Sequence, residues 1–121
     1  MSVEIWHNPR CSKSRQTLAL LEERDIDFTI VLYLQSPPSR AQLERAHRLL
    51  DQPVLAMMRL KDPLFRKLGL SKNSPEAQLF DALQNTPSLI ERPIVLTEKA
   101  AAIGRPPEAV LELFTTPKSV G

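Results

Sequence analysis

The chain is short of glycine. Among 121 residues there are three, Gly69, Gly104 and Gly121. Neither G-x-G-x-x-G nor G-x-x-x-x-G-K-[ST] can be assembled from them, which excludes the glycine-rich phosphate cradles of dinucleotide-binding and P-loop proteins. Cysteine is scarcer still: Cys11 stands alone. One cysteine cannot form an intramolecular disulfide, in keeping with a reducing compartment. The two histidines, His7 and His47, are scattered relative to Cys11 and give no metal-ligand spacing, so no metal and no bound cofactor are expected. No apolar run approaches the ~20 residues that cross a bilayer. The opening Met-Ser-Val-Glu-Ile-Trp-His lacks the basic-then-apolar build of a signal peptide. No membrane association and a cytoplasmic location are therefore expected. The formal charge of +2 gives no ground for a nucleic-acid partner.

What is present is the balance of a soluble globular protein, with 42% apolar and 25% charged residues. The length fits one domain spanning residues 1–121, large enough to bury a core without disulfides or metals.

Val3 to Trp6 reads as a short strand, and His7-Asn8-Pro9-Arg10 as a loop broken by Pro9. From about Ser12 to Arg24 the pattern is helical. Thr17, Leu18, Leu20 and Leu21 form its apolar side, and Glu22, Glu23 and Arg24 its wet end. Phe28 to Leu34 is rich in β-branched and aromatic residues and reads as a buried strand. Strand, helix and strand in succession make a βαβ unit, with parallel strands and a right-handed crossover.

Ser36-Pro37-Pro38 ends that unit, and Ser39 is a suitable N-cap for a helix from Arg40 to about Leu50. Pro53 to Leu70 reads as short helices, with Gly69 near a helix end. In Ser74-Pro75-Glu76 the serine is placed as N-cap, the proline at the first helical position and the acid in the first turn of a helix running to about Asn85. Ile94 to Leu96 is a strand. Thr97-Glu98-Lys99 turns the chain, and Ala100 to Ile103 pairs back antiparallel. Pro106-Pro107-Glu108 opens a last helix, Glu108 to Phe114, and the chain after Pro117 is expected to fray. The sum is an α/β protein: βαβ, a helical insert at about 39–87, then ββα. That is the order of a thioredoxin-like, mixed four-stranded sheet with helices on both faces.

Cys11 falls between the loop and the start of the first helix. A cysteine attacks as its thiolate, a minor form near neutrality at an ordinary pKa of ~8.5. Free amide N–H groups and the positive end of a helix dipole both favour the anion. Arg10, Lys13 and Arg15 add charge, and the same features would hold an incoming oxyanion. A free cysteine is often a small core filler, but polar Asn8, Arg10, Ser12, Lys13 and Ser14 surround this one. His7 either shares a proton with the thiol or caps the strand. His47 reads as part of a solvated helix face. Two thiol motifs are absent. C-x-x-C would need cysteine where Ser14 stands, so an outside thiol must resolve any intermediate. A C-x5-R phosphatase loop would need arginine where Thr17 stands.

His7-Asn8-Pro9-Arg10-Cys11-Ser12-Lys13-Ser14-Arg15 resembles the active-site segment of the ArsC family of glutaredoxin-coupled arsenate reductases, and is most similar to its short YfgD-like subgroup. Ile90-Glu91-Arg92-Pro93-Ile94-Val95 resembles the family's second signature and Ile103-Gly104-Arg105-Pro106-Pro107-Glu108 its third. Leu60 to Leu70, following Arg59, resembles the segment after its first anion-binding arginine. The resemblance implies a thioredoxin-like fold with a helical insertion and Cys11 as nucleophile. It implies that Arg59, Arg92 and Arg105 hold the oxyanion. Ser14 and Arg15, close to Cys11 in sequence, are further candidates for binding it, and His7 is a candidate aid to the thiol. It also implies a cis Arg92-Pro93 bond. Any one arginine taken alone is equally well a solvated surface residue. Forked guanidinium groups do suit tetrahedral oxyanions.

The reaction implied is arsenate to arsenite, with glutathione as co-substrate and glutaredoxin as partner. Two other functions are compatible with the residues. One is a glutathione-dependent thiol oxidoreductase acting on another substrate. The other resembles the Spx-type regulators that bind RNA polymerase, although these use the C-x-x-C that Ser14 interrupts.

Overall fold

The computed structural model describes residues 2–114. Four three-residue strands, β1 (Glu4–Trp6), β2 (Thr29–Val31), β3 (Ile94–Leu96) and β4 (Ala101–Ile103), form one sheet in the order β2-β1-β3-β4. β1 and β2 are parallel, while β3 runs antiparallel to both β1 and β4. The register sets Trp6 beside Val31 and Ile94, and Ile94 beside Ile103. One edge of the sheet therefore carries the exits of β1, β2 and β4 and the entry to β3.

Strand residues alternate between the two faces, and each face has its own core. Trp6, Ile94 and Leu96 pack with Leu43, Ala46 and Leu50 of α2 (Arg40–Leu50) and with Leu79, Phe80 and Leu83 of a later helix, Glu76–Asn85. Ile5 and Val95 pack on the other face with Leu21 of α1 (Ser12–Glu23) and with Val110. Helices thus cover both faces, as in thioredoxin-like proteins.

Between β2 and β3 the chain is helical. α2 begins in a capping box: Ser39 accepts the Gln42 amide at 3.1 Å, and the Gln42 side chain takes the Ser39 amide at 2.8 Å. A 3-10 turn at Val54–Met57 leads to α3 (Pro63–Lys67), where Asp62 caps the Leu64 amide at 2.9 Å. Gly69, at φ 75°, ends α3. Its amide reaches the Arg66 carbonyl and the Leu70 amide the Phe65 carbonyl, the pair of bonds that defines a Schellman stop. α4 (Glu76–Asn85) and a 3-10 turn at Pro87–Leu89 complete the segment.

Four expectations need correction. The strand within Phe28–Leu34 is only Thr29–Val31, and it is not buried. β2 is an edge strand with β1 as its one neighbour, and Ile30 and Leu34 are exposed. Beyond Val31 the amides of Gln35 and Ser36 both turn back to the Leu32 carbonyl, and of this stretch only Tyr33 is driven into the core. Ser74 does not cap α4. Its hydroxyl is taken by the Ser71 amide, and Pro75 stands at the N-cap, its carbonyl accepting the Gln78 and Leu79 amides. The final helix is a 3-10 helix, Pro107–Phe114. Buried Pro107 and Val110 are three residues apart, the spacing at which 3-10 side chains align. His47 is not simply solvated: it is half-buried, and its ring meets Phe80 edge-on with centroids 5.5 Å apart. The segment after Pro117 lies outside the described residues. Among the described residues no helix is long and apolar enough to cross a membrane.

Candidate active site

The shared edge of the sheet brings together residues far apart in sequence. Cys11 follows β1, Tyr33 follows β2, Arg92 and Pro93 precede β3, and Arg105 follows β4. In open α/β sheets, crevices at strand ends are the usual ligand sites.

The turn that delivers Cys11 is built by Asn8. Its Oδ1 accepts the Arg10 amide at 3.0 Å, and its carbonyl accepts the Cys11 amide at 3.0 Å. Cys11 then occupies the N-cap of α1, with an extended backbone and a free, half-buried thiol. No side-chain capping bond is closed there. The sulfur nevertheless faces the positive end of the helix. Burial raises the thiol pKa, but the amide of Ser14, the Arg105 guanidinium, the charge of Arg92 and the amide of Lys13 all lower it. The outcome lies below the ordinary value. The helix-terminus expectation therefore has two parts: backbone amides, and two arginines delivered from other strands.

Arg105 is the direct contact, its Nη1 3.8 Å from Cys11 Sγ. The same Nη1 donates to the Arg92 carbonyl at 2.9 Å, which fixes the guanidinium across the site. Arg92 is more buried, its side chain 17% exposed, and its Nε is buried with no acceptor among the described residues. An unpaired buried donor costs roughly 1–3 kcal/mol, so this position favours an added acceptor. The Arg92–Pro93 bond is cis, and so is Arg105–Pro106, which the sequence reading did not anticipate.

Arg59 reaches the same place from the loop before α3. Together with Lys61, Asp62, Glu91, Arg92 and Arg105 it lines a cleft of about 640 Å³. Cys11 does not line this cleft; Arg105 belongs to both, since it also touches the sulfur. Arg59 pairs with Asp62 at 3.4 Å, and Glu91 stands against Arg92 and Arg105.

Three of the expected residues lie elsewhere. Ser14 is fully buried, and its hydroxyl is 2.6 Å from His7 Nδ1 and accepts the Asn8 amide at 3.0 Å. Its side chain supports the loop, while its amide serves the sulfur. Arg15 points back to the Pro9 carbonyl at 2.9 Å and does not line the arginine cleft. His7 is 5% exposed and is bonded to Ser14, not to the thiol. Burial first, and then the charge of Arg15, lower its pKa, so the ring is neutral near pH 7.

Tyr33 is the residue that sequence reasoning missed. It is 1% exposed, and burial raises its pKa. The charges of Arg92 and Arg59 and a bond from the Asn8 side chain oppose that rise, while Cys11 adds to it. It follows β2 at the same sheet edge as Cys11, Arg92 and Arg105. Nothing local distinguishes it in an apolar run. Gly104, in the segment Ile103-Gly104-Arg105-Pro106, has a steric role. A Cβ there would collide with Thr17 Oγ1 of α1 and approach the Pro93 ring to 2.8 Å. Glycine lets β4 close against both the thiol's helix and the cis-proline. No cluster of three or more His, Cys, Asp or Glu side chains suited to a metal occurs among the described residues.

Comparison with known proteins shows the family and the fold. The sequence profile of the ArsC family matches residues 6–113. A protein named arsenate reductase from Haemophilus influenzae is 50% identical over 116 residues, 94% of this chain and 100% of the relative. The protein YfgD of Escherichia coli K12 is 45% identical over 113 residues, covering 92% of this chain and 95% of YfgD. A solved structure, an arsenate reductase from Vibrio cholerae, is 48% identical and superposes with a TM-score of 0.88, covering 93% of this chain and 97% of that one.

Proposed function

The chain belongs to the ArsC family, and on that premise we propose that it is an arsenate reductase whose nucleophile is Cys11. The observation that carries the reading is one contact and its surroundings. A thiol with a lowered pKa lies 3.8 Å from Arg105, and Arg105 shares a cleft with Arg92 and Arg59. Arginines that share one cleft, one of them with a buried unpaired donor, are suited to a tetrahedral oxyanion.

In the first step the Cys11 thiolate attacks arsenic(V). A sulfur–arsenic bond forms, and one oxygen leaves as water after taking up a proton. Arg92 and Arg105 neutralise charge on the remaining oxygens. In the second step a glutathione thiolate adds at the Cys11 sulfur of the adduct. A sulfur–sulfur bond forms, the sulfur–arsenic pair leaves on arsenic, and arsenic(III) is released. Two thiols have then supplied the two electrons, and Cys11 remains as a mixed disulfide with glutathione. The chain has no second cysteine to resolve it, so glutaredoxin's thiol is the fitting reductant. A reducing cytoplasm would supply both thiols. Arg59 contributes charge to the cleft. His7 and Ser14 act by fixing the loop that presents the sulfur.

The test is NADPH consumption coupled through glutathione reductase, glutathione and glutaredoxin. Arsenate should drive it with the native protein and should not with Cys11→Ser. Undiminished turnover by Cys11→Ser would remove the sulfur from the mechanism. Arsenate-independent reduction of other disulfides at the same rate would favour a general thiol oxidoreductase.

A further inference from the structure

Glu91 puts a carboxylate in a cleft otherwise suited to anions. Its Oε1 accepts the Arg92 backbone amide at 3.3 Å, lies 3.4 Å from Arg92 Nη1 and 3.9 Å from Arg105 Nε. One oxygen thus faces two guanidinium groups and a peptide donor, an arrangement an oxyanion's own oxygen could use. The contacts are long, at or past the outer edge of good hydrogen bonds, so the carboxylate is held without being locked. The comparison with Asp62 is informative. Asp62 pairs with Arg59, but its other oxygen caps α3 at the Leu64 amide. The Glu91 side chain caps nothing; its contacts are with Arg92 and Arg105.

Charge decides what such a cleft accepts. Its lining holds four cations, Arg59, Lys61, Arg92 and Arg105, against two carboxylates, Asp62 and Glu91. With Cys11 ionised beside Arg105, a single positive charge is left over. A singly charged oxyanion matches that remainder, and a doubly charged one exceeds it.

We propose that Glu91 is a specificity-determining residue: its carboxylate competes with the incoming oxyanion for Arg92 and Arg105 and biases the site toward singly charged oxyanions. This rests on the oxyanion-site reading above. Glu91 is displaced when substrate oxygens take its place on the two guanidiniums. Its negative charge raises the cost of every ligand in proportion to that ligand's charge. Two roles follow for one side chain. It holds the arginines in register before substrate arrives, and it penalises dianions once they do.

Sulfate and perchlorate separate charge from shape, because both are tetrahedral and neither changes ionisation near neutrality. Their binding to the native protein and to Glu91→Gln can be measured by titration calorimetry at constant ionic strength. Loss of one part-exposed charge should tighten sulfate about five-fold and perchlorate about two-fold, the ratio set by ligand charge. The KM for arsenate should fall in the same variant. Glu91→Asp keeps the charge and should discriminate between the two anions as the native protein does. Equal affinities in native and Glu91→Gln proteins would overturn the proposal alone, as would weaker binding of both anions, which would make Glu91 purely a positioning residue. If neither protein binds either anion, the oxyanion-site reading falls with it.

Discussion

Replacing Arg105 with alanine should produce two alkylation curves that cross. Arg105 Nη1 lies 3.8 Å from Cys11 Sγ. Opposite unit charges at that separation attract by about 1 kcal/mol in water and about 4 kcal/mol at the effective dielectric of a protein surface. The Arg105 side chain is 35% exposed and the thiol only half-buried, so solvent screens the pair and the lower figure applies. A loss of about 1 kcal/mol leaves about five-fold fewer thiolates at any pH below the thiol pKa. Those that remain are more basic and so better nucleophiles. With a Brønsted coefficient of about 0.4–0.5, each gains about two-fold in reactivity. The variant should therefore react about 2.5-fold more slowly at acidic pH and about two-fold faster once both proteins are fully ionised. Iodoacetamide labelling followed across a pH series measures both limbs. Arg105→Lys keeps the charge but loses the guanidinium bond to the Arg92 carbonyl, and should fall between. Parallel curves, or a variant that is faster at acidic pH, would refute the claim that Arg105 stabilises the thiolate.

Two other perturbations test the scaffold. Gly104→Ala should destabilise the protein by roughly 1–3 kcal/mol, the range for overpacking a close contact. Thr17→Ala on the facing helix should restore part of the loss, because Thr17 Oγ1 is the atom the new methyl meets first; urea midpoints indistinguishable from native would show that the contact yields freely. His7 gives a dependence on pH. Its folded pKa is depressed by burial and by Arg15, so as the pH falls below the free-histidine value of about 6.5 the unfolded chain takes up a proton that the folded one resists, and stability drops. The melting temperature should fall on acidification through that window, and His7→Asn should flatten the decline; identical slopes would assign the loss to other groups.

Local chemistry made much of the fold legible. Ser39 before Arg40 and Gly69 past Lys67 are short-range signals with short-range causes, and both lie at element ends. Signals whose meaning depends on neighbours were misread. Phe28–Leu34 has the composition of a central strand, but only the sheet order reveals that β2 has one partner and an exposed face. Ser74 has the chemistry of an N-cap, yet Ser71 had already engaged its hydroxyl. The site shows the same division. Cys11 at a helix start and the arginine motifs can be read from sequence. That Ser14 is sealed beneath His7, that Tyr33 is buried and that Glu91 stands against two of the arginines are facts of tertiary placement. Arg15 illustrates the limit most simply: four residues from the thiol along the chain, it donates to the Pro9 carbonyl and does not line the arginine cleft.

The register of the sheet gathers Cys11, Tyr33, Arg92 and Arg105 at one margin and leaves the opposite margin to the hairpin between β3 and β4. There Thr97 closes the turn with the Ala100 carbonyl, Ser2 meets Glu98 at 2.9 Å, and Glu98 and Lys99 face solvent. The molecule is therefore polarised, with a working end and an idle one. A label, a tether or an inserted peptide at Glu98–Lys99 would sit a full strand length from the sulfur, so the hairpin offers a handle by which this protein can be held while its chemistry is watched.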